Sequence, residues 1–161
     1  MRAGGFWRGE IGAQVPIANL PLSVELDAGY LYAEGKSNID DAKGNFKRNV
    51  FNAIPFFHYD RYRIGVGVTQ HFNVAFTNNP DGSNNSFRFD YDDATGVVLQ
   101  ADARYDQSLM FGFRFTAISY ESNDSDLDLI ESLGFAEAVS YVRGLREING
   151  NSFGFHVIGT F

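Results

Sequence analysis

Cysteine is absent from this chain of 161 residues, so no disulfide can staple it. It also lacks any run of 18 apolar residues, which excludes a membrane-spanning helix. Cations are few: 13 Lys+Arg face 20 Asp+Glu, a formal net charge of -7 with a pI near 4.8. Nucleic acid is excluded as a partner on that balance, because phosphate binding wants a basic stripe. Solubility is the plainest use of the acidity. No phosphate loop, dinucleotide motif, CxxC or zinc-type spacing occurs, and neither a cofactor nor a metal is expected. Asp40, Asp41, Asp90, Asp92 and Asp93 match no EF-hand spacing and read as solvated charge.

What the chain does have is aromatics, 16 Phe and 8 Tyr, and a repeated period of two. Successive side chains of a strand point to opposite faces. From Pro21 to Ala33, residues Leu22, Val24, Leu26, Ala28, Tyr30 and Tyr32 form an unbroken apolar parity opposite Ser23, Glu25, Asp27 and Gly29. A similar split is expected from Phe6 to Val15, with Trp7, Ile11, Ala13 and Val15 against Arg8, Glu10 and Gln14. From Tyr62 to Phe76 it sets Ile64, Val66, Val68, Phe72, Val74 and Phe76 against Arg63, Gly65, Gly67, Thr69, His71 and Asn73. Phe46 to Tyr59 is less regular, and Pro55 there suggests a bulge or a locally weak pairing. Phe87 to Tyr105 reads as one long strand, with Tyr91, Val97, Leu99 and Ala101 sharing a parity. Leu109 to Glu121 shows Phe111, Phe113 and Phe115 in step, then a parity slip near Ile118 and Tyr120 that a bulge would explain. The last strand, from Asn151, puts Phe153, Phe155, Val157 and the terminal Phe161 on one side.

The connections alternate: short at Pro16 to Asn19, long from Glu34 to Asn45, short at Asp60 and Arg61. Thr77 to Asn85 is long again, Asp106 to Ser108 short, and Glu121 to Gly150 very long. Short turns at one end and long loops at the other are the convention of an antiparallel up-and-down barrel. The expected fold class is therefore all-β, a transmembrane β-barrel forming a single domain over 1–161. Eight strands are nominal and seven are visible. One or two short helices are expected within 121–150, where Ser125 and Asp128 resemble a capping box. The opening MRAGGFW has none of the regions of a secretory signal. A signal peptide and the remaining strand are accordingly expected upstream.

An eight-stranded barrel is just wide enough for side chains to fill. The parity assigned to the lumen carries Arg8, Arg63, Arg104 and Arg114 against Glu10, Glu25, Asp27 and Asp102. Four cations facing four anions suit a paired polar plug, with a narrow ion path as the functional alternative. Tyr30, Tyr32, Tyr59, Tyr62, Tyr91 and Tyr105 sit near strand ends, where interfacial girdles would place them. No catalytic residues are expected: none of His58, His71 and His156 has a serine two residues away, and no Ser/His/acid cluster is evident.

The Tyr62-Arg63-Ile64-Gly65-Val66-Gly67-Val68 strand start, the Phe89-Asp90-Tyr91-Asp92-Asp93-Ala94 segment and terminal Phe161 resemble the small outer-membrane β-barrel proteins of Gram-negative bacteria, of OmpA/OmpX type. That resemblance covers nearly the whole chain outside 121–150. It implies residence in the bacterial outer membrane, contact with membrane lipid and lipopolysaccharide, and a non-enzymatic structural or surface role. It also implies that Phe161 serves as the recognition signal for the barrel-assembly machinery. Gly159 departs from the aromatic or polar residue more usual at that place. The rival expectation is a soluble barrel of lipocalin type, in which the apolar parity lines an internal cavity for a lipid. The two differ in which way Leu22, Val24, Leu26, Val66 and Phe113 point.

Overall fold

The computed structural model describes residues 2–36, 43–79, 87–121 and 147–160. Ten strands form there: β1 (Arg2–Ile17), β2 (Leu22–Lys36), β3 (Lys43–Tyr59), β4 (Tyr62–Asn79), β5 (Phe87–Tyr91), β6 (Ala94–Arg104), β7 (Leu109–Ala117), β8 (Ser119–Glu121), β9 (Glu147–Asn149) and β10 (Ser152–Gly159). One antiparallel sheet runs β1-β2-β3-β4-β6-β7-β10, and β5 extends the ladder of β6 along β4. The sheet curls into a half-barrel. β8 and β9 pair as a separate ribbon on the long-loop side. The helices expected within 121–150 fall on 122–146, outside the described residues, and so does Phe161.

Two tight connections rest on left-handed backbone at residues that tolerate it: Asn19 (φ 63°) between β1 and β2, and Asp60 (φ 53°) between β3 and β4. Register is unbroken between β2 and β3 past Pro55. No bulge forms there. The β4 side of the ladder instead steps from Ala53↔Val68 to Phe56↔Gly65, a local gap where proline has no amide to donate.

A third left-handed residue changes the faces of the sheet. Asn73 (φ 53°) lies opposite a register shift between Lys47 and Asn49 of β3. One extra residue turns every following side chain over. Up to Thr69 and His71 the odd positions of β4 face inward; beyond Asn73 it is Val74 and Phe76 that are buried. The β5–β6 stretch beside β4 inverts at the same level, where the ladder breaks at Asp92 and Asp93. Tyr91 therefore points inward with Ala94. The outward placement expected for Val74, Phe76 and Tyr91 is corrected accordingly, as is the single strand from 87 to 105. The slip expected near Ile118 is also absent. Met110, Gly112, Arg114, Thr116, Ile118 and Tyr120 are all buried on one parity, so it is the inner face that changes from polar to apolar.

Candidate functional site: the charged and aromatic layers inside the sheet

The concave face carries two layers. Toward the short turns lies a network of ion pairs and hydrogen bonds built from seven strands. Arg63 on β4 donates from Nε to Asp102 Oδ2 on β6 at 2.7 Å and from Nη1 to Gln14 Oε1 on β1 at 3.1 Å, and its Nη2 forms an ion pair with Glu25 Oε2 on β2 at 2.8 Å. Its guanidinium carbon stands 4.1 Å from the centre of the Phe56 ring. Arg114 on β7 reaches across the concavity to Glu10 Oε2 on β1 at 2.8 Å and also donates to Gln100. Glu25 and Asp27 lie 3.8 Å and 3.7 Å from its other terminal nitrogen. Asn52 donates to Glu10 at 2.8 Å and to Asp27. Arg8 pairs with Glu10.

Asp102 is the most enclosed member, its side chain 0% exposed. It accepts from Arg63, from Gln100 at 2.8 Å, and from His156 Nε2 on β10 at 2.6 Å. The approach needs Gly112, since a Cβ there would run into the Asp102 carboxylate and lie 2.8 Å from His156 Nε2.

Seven of the eight charged residues expected in the lumen thus meet: Arg8, Glu10, Glu25, Asp27, Arg63, Asp102 and Arg114. Arg104 does not. It ends β6 opposite Met110, is exposed at the turn side, and takes part in none of the ion pairs among the described residues. The inward cation that periodicity missed is Arg48 on β3, 6% exposed. Gln14, Asn52, Gln100 and His156 complete the network, and neutral amides carry no charge pattern that would have drawn attention to them.

On the long-loop side the inner face becomes apolar. Val74, Phe76, Tyr91, Ala94, Ile118 and Tyr120 form a buried cluster, with Phe46 packed against it. Phe46 meets Tyr91 and Tyr120 edge-on at 6.1 Å and 5.4 Å between ring centres. Arg48 lies over the Phe46 and Tyr120 rings at 4.9 Å and 5.5 Å, and His71 Nδ1 is hydrogen-bonded to the Tyr120 hydroxyl.

Two pairs resemble fragments of a hydrolytic site. Ser23 Oγ is 2.7 Å from His58 Nε2, with the Gln14 amide alongside. His156 is held by Asp102. A serine nucleophile needs one histidine oriented by an acid. Here serine and acid are attached to different histidines, so neither pair is complete. The two contacts span 35 and 54 residues of sequence, which is why adjacency along the chain does not show them.

The convex face is the opposite of the concave one. Trp7, Ile11, Val15, Leu26, Phe51, Phe57, Ile64, Val66, Val68, Val97, Leu99, Phe113, Phe115, Phe153, Phe155 and Val157 are exposed on it, Val66 by 57% and Phe113 by 53%. Tyr59, Tyr62 and Tyr105 ring the short-turn end, and Trp7 contacts Tyr30 and Tyr32 nearer the loops. Among the described residues there is no helix long and apolar enough to cross a membrane, which says nothing of strands.

No protein-family model, characterised protein or solved structure matches this chain. Its function is therefore argued from geometry.

Proposed function

We propose that the protein is an integral β-barrel of the bacterial outer membrane, non-enzymatic, with its apolar belt against lipid and its lumen filled by side chains. The observation that carries this reading is the inversion of polarity: greasy residues outside, ion pairs inside. On β4 the outward series Tyr62, Ile64, Val66, Val68, Gln70, Phe72 covers ten residue steps. That is roughly 33 Å of strand, or about 25 Å along the axis at the usual tilt of about 40°. An apolar band of about that height is what an outer membrane requires. In water the same belt would exceed the few hundred Å² of contiguous apolar surface that a monomer exposes. The soluble lipid carrier would need Leu26, Val66 and Phe113 to line a cavity, and their exposure speaks for the membrane instead.

A barrel in lipid leaves no edge unpaired. β1 and β10 are joined by six successive antiparallel pairings and so run in the same direction. One further antiparallel strand between them closes the wall at eight. Membrane lipid, lipopolysaccharide and, during biogenesis, the barrel-assembly machinery are the partners this reading entails. The work at the cell surface, adhesive or protective, falls to the long loops.

The test is biochemical. The protein should sediment with outer membranes, need detergent for extraction, and migrate faster on a gel when unboiled. A monomer soluble in plain buffer would overturn the proposal. Closure at eight strands predicts slow amide exchange in micelles along the outer edges of β1 and β10; rapid exchange there would leave the half-barrel open.

A further inference from the structure

The charged layer leaves Arg63 Nη2 and Asp27 Oδ2 without a hydrogen bond, each beside an opposite charge, and a further set of unpaired atoms stands at its loop-side rim. Arg8, Leu31 and Arg48 stand abreast on β1, β2 and β3, and His71 follows on β4 opposite Val50. Arg48 is 6% and His71 1% exposed. Among the described residues no carboxylate bridges Arg48; ring faces are what it meets. Glu10 is the acid that pairs with Arg8, and Arg114 and Asn52 occupy it as well. Buried Arg8 Nε, Arg48 Nε and His71 Nε2 have no hydrogen-bond partner.

All three of these atoms are donors. The guanidinium nitrogens can be nothing else. The Tyr120 hydroxyl is fully buried with His71 Nδ1 as its hydrogen-bond partner; assigned as the donor of that bond, it places the imidazole proton on Nε2. Three buried donors, two of them cationic, with no acceptor, are a cradle for negative charge. Asn52 Oδ1 and Thr69 Oγ1 are also unpaired, but they face each other across β3 and β4 and can share a water, so they are not counted.

We propose that Arg8, Arg48 and His71 bind a small monovalent anion of halide type inside the barrel. Single N–H groups from three strands suit a spherical ion, whereas a carboxylate or phosphate would call for the paired fork of one guanidinium. The walls, Leu31, Val50, Phe46 and Tyr120, favour a weakly hydrated ion over a strongly hydrated one. The site lies within the barrel, so it stands or falls separately from what the outer belt touches.

Bromide is the probe. The full chain, folded in micelles, should unfold at higher temperature in sodium bromide than in sodium gluconate of equal ionic strength, and crystals should show one anomalous bromide peak touching Arg48 and His71. Arg48→Met should weaken the bromide dependence about tenfold. Should that variant fail to fold, Arg48→Lys keeps the charge but removes the Nε donor, and must still weaken it. Water alone at the site, or equal bromide dependence in wild type and folded variants, would overturn the proposal.

Discussion

The two layers of the interior solve one problem by different means. On the turn side, strands are held by charges, each shared among partners on different strands: Arg63 alone ties β1, β2 and β6 to β4. On the loop side, strands are held by packing, with Phe46, Tyr91 and Tyr120 edge to face and Arg48 spread over rings. A charged network is brittle, because losing one member leaves its buried counter-charges uncompensated. A packed cluster has no counter-charge to strand, so a deletion there costs only the lost contacts and the cavity left behind. The lesson is that side chains can cover the concave face of a curled sheet either way, and the choice sets which mutations the sheet tolerates.

The largest expected effect tests that brittleness. Arg63→Met strands Asp102 and Glu25, and should destabilise the protein in micelles by about 3–5 kcal/mol, read as a shift in the denaturant midpoint. The pair Arg63→Met with Asp102→Leu should recover much of that loss, because the stranded charge rather than the missing bond is the main cost. A double variant as unstable as the sum of the singles would show the network to be held by bond energy, and the contrast with the aromatic layer would disappear.

In the aromatic layer the corresponding deletion is smaller. Tyr120→Phe keeps the ring against Phe46 and Arg48 but removes the hydroxyl donor to His71. A cost of about 1–3 kcal/mol is expected for leaving His71 Nδ1 unsatisfied. A loss as great as that of Arg63→Met would make this layer a polar network as well.

Much of this architecture is legible in the chain. Parity alone assigns Leu22 to Tyr32 and Tyr62 to Val68, because a strand with one apolar face has no other good register. It also brings to the concave face seven of the eight charged residues expected inward. The misses have one physical origin: parity extrapolates only until an extra residue intervenes. Asn73 is such a residue, and no alternation within β4 marks it, since Val74 and Phe76 look equally at home on the outer face. Arg104 was assigned inward because it shares parity with Asp102, but the strand reaches its turn before the side chain finds a partner. Arg48 sits where the β3 pattern is irregular. His156 with Asp102, 54 residues apart, and Ser23 with His58, 35 apart, depend on which strands become neighbours, a fact periodicity does not contain.

The boundary between the layers is itself testable. Asn73 holds φ 53° with a side chain suited to that region. Asn73→Ala should cost roughly 1–2 kcal/mol and Asn73→Gly close to nothing, because the strain is in the backbone. Equal loss from both would mean that the asparagine side chain, rather than the left-handed backbone, sets the inversion that buries Val74 and Phe76.

Arg104 marks the other limit of the charged layer, and the smallest effect is expected there. It is exposed, and the contact it makes at the turn is through its backbone amide, which donates to the Arg61 carbonyl at 2.7 Å. A substitution that leaves this amide in place removes nothing buried, so Arg104→Ala should change stability by no more than about 0.5 kcal/mol. Arg114→Ala, four residue pairs further along the β6–β7 ladder, should cost several times that, since Glu10 and Gln100 lose a buried donor. If Arg104→Ala proved as damaging as Arg114→Ala, the network would extend through the turn-side mouth, and the interior would be one continuous charged column capped by rings rather than two layers of unlike character.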